Sequence, residues 1–279
     1  MAGQRKTSRL LLTLLLIAAC VVFAWSGYRL IARQKEYADA RAEYDALREA
    51  FTGDSSAADG AADSSESSGT ADAGDASGAD GASAANGASA QTGAALNVDF
   101  DGLRAVNQDV VGWVEIPGTD ISYPIAQADD NRIYLDTGFD GSPSSSGAIF
   151  ADCDCQADLM GAHTIIYGHH MRDGSMFAGL VDYKDADFFN SHPEILLATP
   201  ERQLRLTVIA AYAVSADAPL RRFEFGEGEF EAFLAECLAR SELARADIDL
   251  SQVDRLYSFV TCSYEADDMR TVVHAVELG

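Results

Sequence analysis

A mainly β fold, either a barrel or a sandwich, is what the sequence predicts for residues 96–279. Short apolar runs rich in β-branched and aromatic residues recur through this region, separated by turns rich in Gly, Pro and Asp. One stretch carries a clear apolar stripe with helical spacing. About 180 residues are ample for a single hydrophobic core, so we expect one folded domain here.

The N-terminal segment, residues 1–31, has the pattern of a membrane signal-anchor. Three basic residues precede a run without charge, residues 10–28, about as long as the 20 residues that cross a bilayer as a helix. The basic flank favours a cytoplasmic N-terminus. We therefore predict a single-pass cell-membrane protein with an extracellular C-terminal domain. A cleaved signal peptide and lipidation of Cys20 are the alternatives.

Two segments connect this run to the folded domain. Residues 32–51 are rich in helix formers with charges at i,i+4 spacing, which predicts a solvated, membrane-proximal helix. Residues 52–95 are almost entirely Ala, Gly, Ser and Asp, without an aromatic or basic residue. Such a segment buries too little apolar area to offset its ordering entropy. It is predicted to be a disordered tether that holds the domain away from the membrane.

Within the domain, residues 110–127 have the pattern of a strand, a Pro-Gly turn and a second strand. The clearest helix is residues 227–241, with Cys237 on its apolar face as a core residue. A short helix that ends at Pro193 is predicted within residues 183–193. Further strands are expected in the runs 147–151, 163–168, 194–199, 204–214, 255–262 and 270–278.

Composition excludes several classes of function. The formal charge of −24 argues against a nucleic-acid partner, because phosphate binding requires clustered Lys and Arg. Five cysteines at uneven spacing are too few for a disulfide scaffold. Cys153 and Cys155 lack a second ligand pair of metal-site spacing, so we expect no metal there. A disulfide and two free thiols both remain open for this pair.

The loop after Cys262 carries the first candidate chemistry. Two apolar runs flank "SYEADDM", with Cys262 at the end of one and Arg270 at the start of the next. If the two strands are neighbours, both residues lie at the same end of the sheet. A nearby guanidinium favours the nucleophilic thiolate and supplies fixed donors to an oxyanion. A buried thiol with an unrelated surface arginine fits the same spacing.

A cysteine nucleophile requires a histidine. His163 and His274 lie within strand-like runs and are expected to be structural, and His192 to cap a helix. His169 and His170 follow a strand, where site residues concentrate. Residue chemistry alone does not choose between these two.

Several long motifs resemble those of class B sortases. The segment "YGHHMRDGSMF", followed by Phe-Phe and His-Pro, is similar to the family's histidine segment. "VTCSYEADDMRTVVHAVEL" resembles the cysteine segment, with an arginine eight residues after the cysteine. Residues 107–152 are similar to the family's first strands. The resemblance covers essentially residues 98–279.

This resemblance implies a closed β-barrel of about eight strands with added N-terminal and peripheral helices. It implies a membrane-anchored cysteine transpeptidase, with Cys262 as nucleophile, His169 as acid/base and Arg270 at the oxyanion and substrate. It also implies that Asn131 and Leu135 line the sorting-signal groove. Tyr264 is a further substrate-binding candidate.

The implied reaction cleaves an Asn-Pro-x-Thr-like C-terminal sorting signal through a thioacyl intermediate. The acyl protein then passes to an amine of a lipid-linked peptidoglycan precursor or to a pilin lysine. The implied reaction needs no metal and no organic cofactor. Val260 departs from the family, which usually has a serine there, and this puts the signal preference in question. A secreted cysteine protease and a non-enzymatic surface module are the alternatives.

Overall fold

The computed structural model describes residues 2–53, 96–245, 248–263 and 268–278. Eight strands form a closed barrel in the order β10-β8-β7-β3-β4-β5-β6-β9, which β9–β10 pairing closes. Two neighbouring pairs, β4–β5 and β6–β9, are parallel and the others are antiparallel. The predicted closed, mainly β barrel of about eight strands is confirmed.

The elements have the following bounds. The α-helices are α1 Ala2–Phe51, α2 Phe100–Val106, α3 Ala186–Ser191 and α4 Glu229–Ala239, and short 3-10 helices cover Ile133–Leu135, Ala178–Lys184 and Leu250–Gln252. The strands are β1 Thr52–Gly53, β2 Asn97–Val98, β3 Val110–Glu115, β4 Ser122–Ala126, β5 Ile149–Ala151, β6 His163–Tyr167, β7 Glu194–Ala198, β8 Gln203–Ser215, β9 Leu256–Ser263 and β10 Met269–Glu277.

Alternation along the strands divides the barrel into an interior and a covered outer face. Trp113, Phe259 and Val273 are fully buried in the main core. On the outer face, α4 packs Phe233, Leu234 and Cys237 against β8, β9 and β10 in a second cluster. Both predicted helices and the core position of Cys237 are confirmed.

The C-terminal part of α1 differs from the solvated helix that the sequence predicts. Tyr44 and Leu47 are 3% and 8% exposed and belong to the main core. Phe51 and Tyr37 pack against the same core. The charge pattern is present on the outward face, but the apolar residues between the charges pack against the barrel. This part of α1 therefore belongs to the folded domain.

Within the part of the chain that the structure describes, no helix combines the length and apolar character that a membrane crossing needs. The single-pass anchor predicted over residues 10–28 is thus not supported by the structure.

Strands β1 and β2 flank the predicted tether. They pair antiparallel, with Thr52 opposite Val98 and Gly53 opposite Asn97. Residues 54–95 lie outside the described residues, but the two points between which they run are adjacent. The tether predicted over residues 52–95 thus lies almost entirely outside the described residues, and its role in holding the domain away from the membrane stays a prediction.

Candidate active site

Three neighbouring strands meet at one rim of the barrel, and each brings one proposed catalytic residue there. The β9–β10 register places Cys262 directly opposite Arg270. In the parallel β6–β9 pair, Tyr167 lies opposite Val260. The Gly168 N–H continues this pairing with a hydrogen bond of 3.1 Å to the Val260 carbonyl. His169 therefore lies just beyond the end of β6, at the same rim as Cys262 on β9. The strand pairing that would bring Cys262 and Arg270 together is present.

Hydrogen bonds fix both the ring and the backbone of His169. Its Nε2 donates a hydrogen bond of 2.8 Å to the carbonyl oxygen of Leu135. Its own carbonyl accepts from the backbone N–H of Phe177 at 2.9 Å. Because a carbonyl only accepts, Nε2 carries the proton and Nδ1 carries the lone pair in the neutral ring. The ring is therefore oriented and partly exposed, as an acid/base requires.

His170, the other candidate, faces different surroundings. It forms a bridge with Met176 and borders a shallow groove with Arg172 and Asp182. His169 instead borders the cleft that Arg270 also lines. The geometry thus favours His169 between the two histidines that residue chemistry left open.

Arg270 is the second residue of β10 and is partly buried. One guanidinium N–H, at Nη1, donates to the backbone carbonyl of Met269 at 3.2 Å. A guanidinium has five donors in a rigid planar fork, and this bond uses one of them.

A cleft of about 210 Å³ lies beside these residues on the outer face of the barrel. Its floor and walls combine apolar side chains with a few polar ones, as is typical of ligand sites. Both groove residues named from the resemblance, Asn131 and Leu135, line it, and Val260 does too. Tyr264 lies outside the described residues. The full lining is Asn131, Leu135, Phe150, Tyr167, Gly168, His169, Val260, Thr261 and Arg270.

One wall of the cleft is fixed by a buried carboxylate, Asp152, which is fully buried. Arg221 donates to its two oxygens at 2.7 and 2.8 Å, and the Tyr167 hydroxyl donates at 2.9 Å. Asn131 is held beside it, because its side-chain oxygen accepts from the Cys153 N–H at 2.8 Å. Burial acts to raise the pKa of Asp152, but the bonds from Arg221, the Asp154 backbone and Tyr167 hold it below its usual value.

Sequence reasoning missed this arrangement. Arg221 is 69 residues from Asp152 along the chain, and neither residue belongs to a motif with characteristic spacing. A buried aspartate directly after an apolar strand was the one available signal, since such a charge needs a partner.

The Cys153–Cys155 segment directly follows Asp152. Both are free thiols, and Cys155 is buried. Burial raises the pKa of Cys155 to about 12, and burial with the charges of Asp152 and Asp154 raises that of Cys153. Ligand-type atoms of Asp152, Cys153 and Asp154 lie within 4.8 Å of one another. Arg221 already bonds to both carboxylates, so its positive charge occupies the place of a cation.

His163 on β6 and His274 on β10 form a buried polar network. Ser258 joins their rings, at 2.7 Å from His163 Nε2 and 2.8 Å from His274 Nδ1. Tyr212 is bonded to the far nitrogen of His274 at 2.8 Å. Burial lowers the pKa of His163 to about 4 and that of His274 to about 3. Both rings are neutral and enclosed, as a structural role requires.

Curated relatives of the chain are sortases. Sortase B of Listeria monocytogenes is 35% identical over 166 residues, which cover 59% of this chain and 67% of that protein. Sortase B of Staphylococcus aureus is 31% identical over 179 residues, covering 63% of this chain and 73% of that protein. No protein-family model matches the chain.

Solved structures of sortase B have the same fold. The Clostridium perfringens enzyme superposes with a TM-score of 0.61 at 28% identity, over 65% of this chain and all of that one. A Staphylococcus aureus sortase B–substrate complex gives 0.59 at 30% identity, over 64% and 84% of the two chains. The chain therefore belongs to the class B sortases and is a sortase cysteine transpeptidase.

Proposed function

We propose that the chain cleaves an Asn-Pro-x-Thr-like sorting signal through a thioacyl bond to Cys262 and passes the acyl protein to an amine. As a sortase it acts on a sorting signal and an amine acceptor in general. The observation that carries the assignment of roles is that Cys262 on β9 lies opposite Arg270 on β10, and that His169, just beyond the end of the adjacent β6, lines the same cleft as Arg270. These are the groups that acyl transfer by a thiol requires.

In the first half of the proposed reaction, the Cys262 thiolate attacks the carbonyl carbon of the Thr residue, at the peptide bond that follows Thr. A C–S bond forms, and Arg270 stabilises the negative oxygen of the tetrahedral intermediate. The C–N bond then breaks, and the leaving amine takes a proton from protonated His169. The product is a thioester between the protein substrate and Cys262.

In the second half, the acceptor amine attacks the thioester carbon. Neutral His169 takes a proton from this amine, Arg270 again stabilises the oxyanion, and the C–S bond breaks to release the thiolate. The acceptor is a lipid-linked peptidoglycan precursor or a pilin lysine. Water in place of the amine would give hydrolysis, so the cleft must favour the amine.

The cleft is proposed to hold the sorting signal, with Asn131 and Leu135 among its contacts and Tyr264 beside them. The Asn131 side-chain oxygen is fixed by the Cys153 N–H, so this side chain presents a defined orientation to a peptide. Val260 supplies an apolar surface where the family usually has a serine hydroxyl. We expect this exchange to alter the preferred signal rather than the chemistry.

We further propose that residues 10–28 anchor the chain at the cell membrane, because the run is uncharged and follows three basic residues. Sortases are surface-associated in Gram-positive bacteria. Fractionation of cells tests the anchor: the full chain should pellet with membranes and resist extraction by carbonate, and a chain lacking residues 1–31 should not. Recovery of the full chain in the soluble fraction would refute the anchor.

The test of the enzymatic proposal uses the full chain in detergent, Asn-Pro-x-Thr peptides and an excess of amine. Mass spectrometry should show an acyl adduct on Cys262 and an amide product. Cys262→Ala should abolish both, whereas Cys237→Ala, a change in the α4 core, should not. Free acid alone despite abundant amine would favour a cysteine protease. Absence of selective thiol labelling at Cys262 in the native chain would favour a non-enzymatic module.

A further inference from the structure

The α1 helix touches the backbone that surrounds the proposed acid/base. Tyr44, 3% exposed, lies where α1 packs against the barrel. Its hydroxyl donates a hydrogen bond of 2.7 Å to the carbonyl oxygen of Gly147. A buried tyrosine hydroxyl usually has such a partner. What distinguishes this one is the position of Gly147.

Gly147 lies directly behind the carbonyl that orients His169. It has a φ of +56°. A Cβ at this position would press on the Tyr134 carbonyl, and would lie 2.8 Å from the Leu135 oxygen and 3.0 Å from Cδ2 of His169. The next residue, Ala148, donates its N–H to the Tyr134 carbonyl at 2.9 Å. The Gly147 backbone is thus packed against the Leu135 oxygen, which accepts from His169 Nε2.

A second set of contacts links Tyr44 to the other side of His169. The ring of Tyr44 meets the ring of Tyr123 edge-on, with centroids 5.3 Å apart. The Tyr123 hydroxyl accepts from the Met176 N–H at 3.0 Å. The adjacent Phe177 N–H donates to the carbonyl of His169 at 2.9 Å. Tyr44 is therefore linked to both segments that hold the histidine, through Gly147 to the one at its ring and through Tyr123 to the one at its backbone.

Polar contacts also fix α1 against the barrel. Arg48 donates to the backbone carbonyl of Asp120 at 3.1 Å, and Arg41 pairs with the Asp120 carboxylate at 3.4 Å. Exposed contacts of this kind contribute little free energy. They do restrict rotation of the helix about its axis, and so they keep Tyr44 directed at Gly147.

We infer that Tyr44 is a positioning residue for the transpeptidase reaction, through which α1 fixes the Leu135 carbonyl and the ring of His169. The inference deepens the proposed function and rests on it for the role of His169. Acid/base catalysis depends on the direction of the ring nitrogen that faces the reacting atoms. A support around a catalytic group is what keeps such geometry within the narrow productive range.

The test compares Tyr44→Phe, which removes the hydroxyl and keeps the ring, with a matched control. Tyr183→Phe removes another buried tyrosine hydroxyl that donates to a backbone carbonyl, that of His192, at 3.0 Å. Both variants are made in the full chain. Three quantities are measured: the melting temperature, kcat and KM for amide formation, and the nitrogen NMR signals of the His169 ring, which report the tautomer.

Both variants should lose a similar amount of melting temperature. Tyr44→Phe alone should lower kcat, by about tenfold, with KM within about twofold. It alone should shift the His169 ring signals away from those of the Nε2–H tautomer. Equal kcat values for the two variants would overturn the inference, and so would unchanged ring signals. A wild-type chain that forms no amide product would count against the proposed function instead, and the ring signals alone would then decide the inference.

Discussion

Two single residues, Gly147 and Asp152, determine much of the geometry of this site, because neither can be substituted without moving its neighbours. Gly147 has a left-handed backbone, with a φ of +56°, and an added Cβ would lie within 3.0 Å of Tyr134, Leu135 and His169. Asp152 is fully buried and paired with Arg221. Neither residue belongs to the reacting groups, yet each fixes a segment that carries residues of the cleft.

The substitution Gly147→Ala, which adds one methyl group, tests whether Gly147 fixes the segment that holds His169. The added Cβ would meet the Leu135 oxygen and the His169 ring, so we expect kcat to fall by at least about tenfold. Gly141→Ala is the matched control, since Gly141 has a φ of +83° and nothing within 4 Å of an added Cβ. Each variant should lose about 1–2 kcal/mol from the left-handed backbone. Steady-state kinetics that show equal activity in the two variants would contradict the close approach to His169.

A second single-residue test concerns Arg270. Removal of an oxyanion donor in the change Arg270→Ala should lower kcat by about 10²–10³-fold, with the melting temperature nearly unchanged. Arg270→Lys should also be poor, because an ammonium lacks the planar fork. Arg205→Ala, which removes an exposed arginine paired with Glu194 on β7, should remain active. Near-normal turnover of Arg270→Ala would refute the role of Arg270.

Among the secondary-structure elements, α1 departs furthest from its sequence-based expectation. Its charges at i,i+4 spacing predict a solvated helix, but Tyr44 and Leu47 lie between those charges and are buried. A helix with one narrow apolar stripe has the same sequence pattern whether that stripe meets a barrel or water. The strand boundaries beside the cleft were predictable from the sequence. Alternating apolar residues and turn residues mark the ends of β6 and β9 and the start of β10.

The pairing of β1 with β2 leads to a prediction about residues 54–95. Replacing them with a short Gly-Asn turn between Gly53 and Leu96 should preserve activity on a soluble peptide. It should also raise the free energy of unfolding by about 1–2 kcal/mol, because a shorter loop costs less entropy to close. The contrasting variant removes residues 1–95 and with them Tyr44 and Leu47. It should be less stable and less active.

Chemical denaturation and peptide turnover of both variants check this contrast. If the loop replacement lost activity while the truncation kept it, α1 would not belong to the functional domain. Equal stability of the two variants would likewise contradict the packing of α1 on the barrel.

For the molecule as a whole, the sequence predicts the fold class. It also indicates that Cys262 and Arg270, only eight residues apart, lie at the same end of the sheet if their strands are neighbours. It does not predict contacts that join distant parts of the chain. The parallel pairing of β6 with β9 brings His169 beside Cys262 across almost a hundred residues, and family resemblance rather than spacing selected His169 over His170. Likewise, Arg221 reaches Asp152 from the connection between β8 and α4. Such contacts depend on barrel closure, which no local pattern encodes.

Barrel closure also buries two histidines whose titration should govern stability in mild acid. The folded pKa of His163 is lowered to about 4 and that of His274 to about 3, from an unperturbed value of 6.5. At pH values between the folded and the unperturbed pKa, the unfolded chain binds more protons than the folded chain. The free energy of unfolding therefore falls as the pH falls. Each histidine should contribute a slope of about 1.4 kcal/mol per pH unit below about pH 6. The carboxylate of Asp152, whose pKa is lowered from 3.8, titrates below this window.

Urea unfolding between about pH 7 and about pH 5 measures this slope. His163→Gln keeps a polar side chain near Ser258 and should reduce the slope by about half, since one of two titrating rings is removed. His192→Gln, which alters a histidine at the end of α3 outside the network, should leave the slope unchanged. A free energy of unfolding that stays constant across the range would mean that the two rings gain protons without loss of the fold. The hydrogen-bonded network around Ser258 would then accept a charged ring, and burial of the two histidines would not explain acid sensitivity.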